Sequence, residues 1–481
     1  MNLTEKWISL LRRRCFPPWE GPGRPGDGER EALKLFRELG KDRLSSLSWE
    51  ETEEILSRAR ILLVGSWHHL LLHARFAGAL AARFARKGEE VHLGLGMIPQ
   101  EALRTKRIPR GLPESFLDAL FQGLGEEGDG VEVRGWKKWN RGLAAPGPMA
   151  ERLVKLAERG KKVILLHGEF HLLPPFLPRA LKESALGSRE KEFRVLWPGA
   201  PGPFLHLASR GGEKLPALLG DGSVYLPLCH PLHRIAALEA WREKSPLLPA
   251  TPLHPLLPPG PTLEEAFHDL AGRCARFLEI PLPSPIPLVT FEADNPYALV
   301  DSALDPGPAR DLAHRALEEG EGLALPHLPM VVLGGPGALE AAEEAAHFLH
   351  ISSTGLHRVP HASPLHGMLL GALAEAVARG TARAVLPGTQ PWRPRTELLP
   401  QKALAWKRRA WPRIRKGGAH LPSLEWLDPT ERGVAAHLIG YSLAETILES
   451  PGARERLQVL ARTPPPSGEE ECLALFREVL P

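Results

Sequence analysis

Residues 161–175, KKVILLHGEFHLLPP, stay largely apolar up to Gly168 and then place Glu169 and His171 two positions apart, with two prolines behind them. A carboxylate and an imidazole held together can bind a metal ion, activate a water or pass a proton. A second stretch, VGSWHHLLLH, gathers imidazoles. Gly65 is followed by Ser66, Trp67, His68 and His69, and His73 comes four residues after His69. On one helix face, His69 and His73 could share a metal, but only with a third ligand from elsewhere. Plainer roles compete with both readings. Glu169 could cap a neighbouring helix beside a structural His171. His69 and His73 could be surface or hydrogen-bonded core residues, and for that pair the plain role outweighs ligation.

Other stretches carry weaker signals. HFLHISSTGLHRVPHASPLHG holds His347, His350, His357, His361 and His366. Their spacing fits no standard zinc pattern, which favours a structural or ligand-pocket role. CHPLH offers Cys229, His230 and His233 as a metal fragment with no visible partner. VVLGGPGALEAAEEAAHF resembles a phosphate-binding strand, loop and helix but lacks the GxGxxG spacing and the Walker lysine, so it reads as a tight turn. There is no GxSxG elbow and no HExxH. The basic, tryptophan-containing segment 389–418 could meet anionic partners, yet a single charged run is usually a solvated face.

The elements that must position these residues alternate along the chain. SWEETEEILSRAR opens on Ser48 with Glu51 three residues later, as in a capping box. Buried strands are expected at 59–65, 90–97, 161–168, 193–197 and 223–228. A helix ending at Gly88 follows the first strand, interrupted helix spans about 98–125, and GPMAERLVKLAERG forms another. Such alternation predicts an α/β fold with a mainly parallel sheet flanked by helices. Ligands of such sheets sit at the carboxyl ends of strands, which puts Gly65–His69 and Gly168–His171 on one rim. The organisation reads as a helical lead-in over 1–58, an α/β domain over 59–245, a proline-rich linker with one helix over 246–286, and a mixed α/β-to-helical region over 287–481.

Length alone suggests two or three domains for 481 residues. A net charge of +3 is too balanced to argue for nucleic acid. With 49 Pro and 46 Gly against only three Tyr, the composition fits a GC-rich, thermophilic source, since prolines in loops restrict the unfolded chain. The four cysteines are far apart with no CxxC, as in a reduced, cytoplasmic protein. The start, MNLTEKWISLLRRRCF, lacks the apolar core of an export signal, and no run reaches the ~18 apolar residues of a membrane span. Self-association into a homo-oligomer stays open.

ILLVGSWHHLLLHARFAGAL, VHLGLGM, VILLHGEFHLLPPFLPRAL and FRVLWPGAPGPFLHLASRG with GSVYLPLCHPLHRIAALEAW follow one another in an order that resembles the ChaN-like proteins of the Tiki superfamily, often described as haem-binding or haem-uptake proteins. The likeness covers roughly residues 55–245 and is closest to long cytoplasmic bacterial members with a C-terminal extension. Family members typically read glycine, acid, any residue, His; here Gly65, Ser66, Trp67 and His68 replace the acid by Ser66. A Glu usually precedes the Met of the second strand; here Gly96 precedes Met97. The third motif is intact as Gly168, Glu169, Phe170 and His171. In related metal-dependent hydrolases these acids and histidines form the active centre, and Ser or Gly cannot replace a carboxylate that binds metal or activates water.

The resemblance thus implies a cleft lined by His68, Glu169 and His171, with Ser66, His69 and His73 nearby. Its ligand would be haem or a divalent metal ion, in a partly degenerate site. His68, Glu169 and His171 would be the metal-binding or catalytic set, and Ser66, His69 and His73 would line the cofactor. Two other classes compete: a metal-dependent hydrolase of peptide or ester bonds, and a non-catalytic scaffold or interaction protein.

Overall fold

The computed structural model describes residues 3–481 apart from 17–26, 42, 110, 138–145, 185–191, 244–245, 251–252, 258–259, 293–294, 389–399 and 418–420. The chain forms two units. The first comprises Met1–Trp241 with Ala250–Gly260, the second Arg242–Pro249 with Pro261–Pro481. Among the described residues, no helix is long and apolar enough to cross a membrane.

The first unit runs α1 (Leu3–Cys15), α2 (Asp27–Glu38), β1 (Leu44–Ser46), α3 (Trp49–Arg58), β2 (Ile61–Ser66), α4 (Leu71–Arg86), β3 (Val91–Leu95), α5 (Gln100–Thr105), α6 (Phe116–Leu124) and β4 (Val131–Gly135). It continues through α7 (Gly147–Glu158), β5 (Lys162–Gly168), α8 (Leu177–Lys182), β6 (Phe193–Pro198), α9 (Pro201–Ala208), β7 (Ala217–Leu219), β8 (Val224–Leu226) and α10 (Leu232–Glu243). Eight strands form one sheet in the order β1-β7-β8-β6-β2-β5-β3-β4. All neighbours from β8 to β4 are parallel, and the β1–β7 and β7–β8 pairs are antiparallel. The expected α/β class and mainly parallel sheet are therefore present.

The central strands are apolar because both of their faces are covered. Every residue of β2 is buried, and Leu62, Val64, Ile164, Leu166 and Leu196 share a core with Phe76, Ala77 and Leu80 of α4. α4 lies very close to α6: a Cβ on Gly78 would stand 2.3 Å from the Leu120 carbonyl oxygen, so only glycine fits. Register then builds the rim. Gly65 pairs with His167 and Ser66 with Gly168 across β2 and β5, and the Gly96 N–H donates to the Leu166 carbonyl at 2.9 Å. The ends of β2, β3 and β5 thus bring Ser66, Gly96 and Gly168 side by side.

The units divide the chain differently from the sequence reading. The lead-in is part of the first unit, because β1 pairs with β7 and α3 covers the core through Leu56. Ser48 and Glu51 do form the expected capping box. Within the 246–286 segment, α11 (Leu263–Leu278) belongs to the second unit, where Phe267, Leu270, Ala271, Cys274 and Leu278 are buried. Helix α4 starts later than its histidines suggested. Its N-cap is Leu70, and His68 and His69 lie in the turn before it. His69 and His73 therefore do not share a helix face. The chain turns first because the Leu70 N–H donates to the Trp67 carbonyl, while the Trp67 N–H donates to His73 Nδ1.

The second unit contains α11, β9 (Leu288–Thr290), α12 (Pro296–Ala303), α13 (Pro308–Glu319), β10 (Leu323–Leu325) and β11 (Met330–Leu333). Helices α14 (Ala338–Thr354), α15 (Pro364–Val385), α16 (Gln401–Arg415), α17 (Pro429–Leu448), α18 (Ala453–Arg462) and α19 (Glu469–Val479) follow. Its small sheet has the order β10-β11-β9, with β11 and β9 parallel. Arg379 of α15 pairs with Glu343 of α14, and Tyr441 of α17 donates to the same carboxylate at 3.0 Å. The basic segment falls partly outside the described residues. Its remainder, α16, is not purely a solvated face: Trp406 is fully buried and donates to the Pro422 carbonyl at 3.1 Å.

Candidate functional site

The rim of the first unit is built from two turns, one after β2 and one after β5. In the first, His68 is half-buried, with Nδ1 3.2 Å from Ser66 Oγ. His68 Nε2 lies 3.2 Å from where a Cβ on Gly168 would stand, and His171 Cδ2 lies 3.6 Å from the same point. The two imidazoles therefore flank Gly168, together as the sequence suggested. In the second turn, Glu169–Leu172 forms a single 3-10 turn in which His171 is half-buried.

His167 is a third member of this group, and the sequence reading did not single it out. Its ring stacks on His171 with centroids 4.2 Å apart. Its Nδ1 accepts the Gly168 N–H at 2.7 Å, which puts its proton on Nε2. It also explains Gly96. A Cβ there would be 2.6 Å from His167 Cδ2, so the imidazole occupies the space that a longer side chain at 96 would enter.

Burial keeps these histidines uncharged. It is the largest cause in each case. His68 falls to about 4, with His69 and His171 adding to the effect. His167 lies well below the usual range, lowered further by His171 and His68. His171 is lowered by burial alone. Removing an imidazolium from water costs more than removing the neutral ring, so the rim is a cluster of neutral imidazoles at neutral pH.

Glu169 stands on the same rim but faces another partner. Its Oε2 pairs with Arg234 Nη2, and the two side chains are 3% and 2% exposed. Arg234 also donates from Nη1 to the Gly199 carbonyl at 3.2 Å. Its guanidinium lies over Trp67 at 5.2 Å and Phe36 at 5.4 Å. Burial pushes the Glu169 carboxyl up, and Arg234 pulls it back. Glu169 Oε1 is buried and has no hydrogen-bond partner among the described residues. Arg234 was also missed, although the quoted CHPLHRIAALEAW contained it. A lone basic residue inside a helix gives no sign that it faces a carboxylate 65 positions away.

Two members of the expected set have other tasks. His73 is fully buried behind the rim, its Nδ1 accepting the Trp67 N–H at 2.9 Å. Its Nε2 is buried with no partner among the described residues, and burial, Arg234 and His68 hold it uncharged. His69 is half-buried in the turn, edge-on to Trp67 with centroids 6.5 Å apart.

Among the described residues, no three His, Cys, Asp or Glu side chains are arranged to hold a metal ion. The set His68, Glu169 and His171 thus does not fit a divalent cation, because the carboxylate is turned to Arg234. Cys229 is buried, and the His230 ring stacks on Trp7. Of the later histidines, His350 and His366 are buried while His357 and His361 are exposed. His366 takes the Ala362 N–H on Nδ1 and donates from Nε2 to the Pro466 carbonyl, a structural role. The glycine loop before α14 is a bend followed by an antiparallel bridge from Gly337 to Leu247, with the Pro336 carbonyl accepting the Leu248 N–H at 2.9 Å.

The fold and site thus define an α/β domain with a histidine-lined rim at the carboxyl ends of its central parallel strands. Set against known proteins, the chain matches no family model, no curated protein and no solved structure.

Proposed function

We propose that this is a ligand-binding protein of the ChaN-like kind, and that the rim at the ends of β2 and β5 takes haem. The observation that carries this reading is the convergence of His68, His167 and His171, three imidazoles that burial keeps neutral. A neutral imidazole is the form that can ligate haem iron, and one or two such ligands suffice. His68 and His171 are the half-exposed members and would hold the iron; His167 stacks behind His171 and orients it. Bound haem would supply an iron for His68 and His171 to ligate.

The hydrolytic alternative has less support. Its three-donor metal set is missing among the described residues, and its carboxylate is committed to an arginine. Titrating haem into the purified chain tests the proposal. A stoichiometric shift of the Soret band is expected, weakened about tenfold or more in His68→Ala or His171→Ala. An unshifted band in the wild type would reject haem as the ligand.

A further inference from the structure

Arg234 and Glu169 meet in the interior of the first unit, and each side chain is almost fully covered. A carboxylate in such a place needs a standing positive partner. The rim offers three candidates for that role: protonated histidine, a bound metal ion, or the guanidinium. The histidines are held neutral. The guanidinium is in contact and fixed from three further directions, by the Gly199 carbonyl and by the rings of Trp67 and Phe36.

A metal ion would need a carboxylate free to join the histidines, and among the described residues of the rim the carboxylate present, Glu169, is held by Arg234. Ser66 is buried, with Oγ beside His68 Nδ1. Gly96 has no side chain and, with His167 in place, no room for one. The remaining Glu169 oxygen, Oε1, shares its carboxylate with Arg234, so a divalent cation there would be repelled by the guanidinium.

We infer that Arg234 fills the cation position of this rim: its guanidinium, rather than a bound divalent metal ion, is the standing counter-charge of Glu169. The inference deepens the ligand reading above and rests on it for one consequence. A ligand of this rim brings its metal already chelated, as haem does, and a bare divalent cation is excluded. The buried Oε1 then remains an acceptor for a hydrogen-bond donor, either a water or a protonated group on the ligand.

The test uses the full chain and Mn2+ as the probe, with uptake read by electron paramagnetic resonance at neutral pH. Wild type should take up no stoichiometric Mn2+. Arg234→Met, which removes the guanidinium but keeps apolar bulk, should gain Mn2+ binding that disappears again in Glu169→Gln/Arg234→Met. Added guanidinium ion should compete with Mn2+ for the single variant. A folded Arg234→Met that takes up no Mn2+ would overturn the inference.

Should Arg234→Met fail to fold, wild type and Glu169→Gln decide. Stoichiometric Mn2+ in wild type that Glu169→Gln abolishes overturns the inference, and its absence in wild type supports it. Failure of the ligand reading appears in a different signal. A wild type that shifts no Soret band and takes up no Mn2+ rejects haem and leaves Arg234 as the counter-charge.

Discussion

His167 and Gly96 share one volume: the imidazole lies where a side chain on residue 96 would begin, 2.6 Å from the position of its Cβ. The absence of an acid at 96 and the presence of a histidine at 167 are thus two sides of a single packing solution. Gly96→Ala should force the ring out of its place and cost about 1–3 kcal/mol, as overpacking of a filled interior does. Gly96→Ala/His167→Ala should recover much of that loss, because the added methyl then has room. The two effects should be strongly non-additive, as expected for contacting residues. Urea unfolding of the two single variants and the double variant measures the coupling. Additive losses would show that the ring is not displaced.

The same rim should make the first unit sensitive to acid. His68, His73, His167 and His171 all have folded values below the ordinary 6.5, chiefly because they are buried. The unfolded chain then binds more protons than the folded one once pH drops below about 6.5, so stability falls with pH. The contribution is complete above 6.5 and is lost progressively toward the folded values, about 4 for His68. Between pH 7 and pH 5 protonation of the unfolded chain at His68 should cost about 2 kcal/mol. Unfolding midpoints across this range should slope less steeply in His167→Ala than in wild type. Parallel slopes would mean that His167 is not held neutral.

Much of this arrangement was legible in the sequence for a physical reason. Strands buried on both faces must be continuously apolar, so β2, β3, β5 and β6 announced themselves, and the abrupt glycines marked where they end. The capping box of α3 places Ser48 three residues before Glu51, a local pattern that needs no tertiary knowledge. The short strands β1 and β7 did not show, since three residues carry no period. β4 was hidden by the charges of Glu132 and Arg134 on its half-exposed face. The rim's neighbours could be read because they adjoin in sequence. Arg234 could not, because its partner Glu169 is distant, and His167 looked like an ordinary end of a strand until the register set it beside Gly96.

Lys162 supplies a stability test away from the rim. Its side chain is buried at the start of β5, where Nζ donates to the Leu56 carbonyl at 2.8 Å and the Ser57 carbonyl at 3.0 Å. Those oxygens belong to the last turn of α3, where a cation is favoured. Lys162→Met should cost about 1–3 kcal/mol by leaving them unpaired. Burial also lowers the ammonium to about 8. Unfolded chains hold that proton up to about 10.4, so this residue's contribution should rise between pH 8 and pH 10. Wild type minus Lys162→Met, followed by urea midpoint over that range, reads the sign. A difference that shrinks with pH would contradict the burial of the charged head.

The second unit should respond to pH in the opposite sense. His437 of α17 pairs with Glu375 of α15, Nδ1 to Oε1 at 3.1 Å. Burial works to lower this histidine, but the carboxylates of Glu375, Glu343 and Glu321 outweigh it and raise it to about 9. Here the folded chain holds the proton more tightly than the unfolded one. The stabilisation is therefore complete below 6.5 and disappears as pH climbs through 9. The side chain is 41% exposed, so solvent weakens the pair and the effect should be modest. Its sign, however, is fixed by the carboxylates of α14 and α15 and by Glu321 before β10. His437→Asn keeps a hydrogen-bonding group without the charge, and its deficit against wild type should narrow between pH 6.5 and pH 9. A deficit that widens over that interval would mean that His437 enters the fold uncharged and that its partner is not an ionised Glu375.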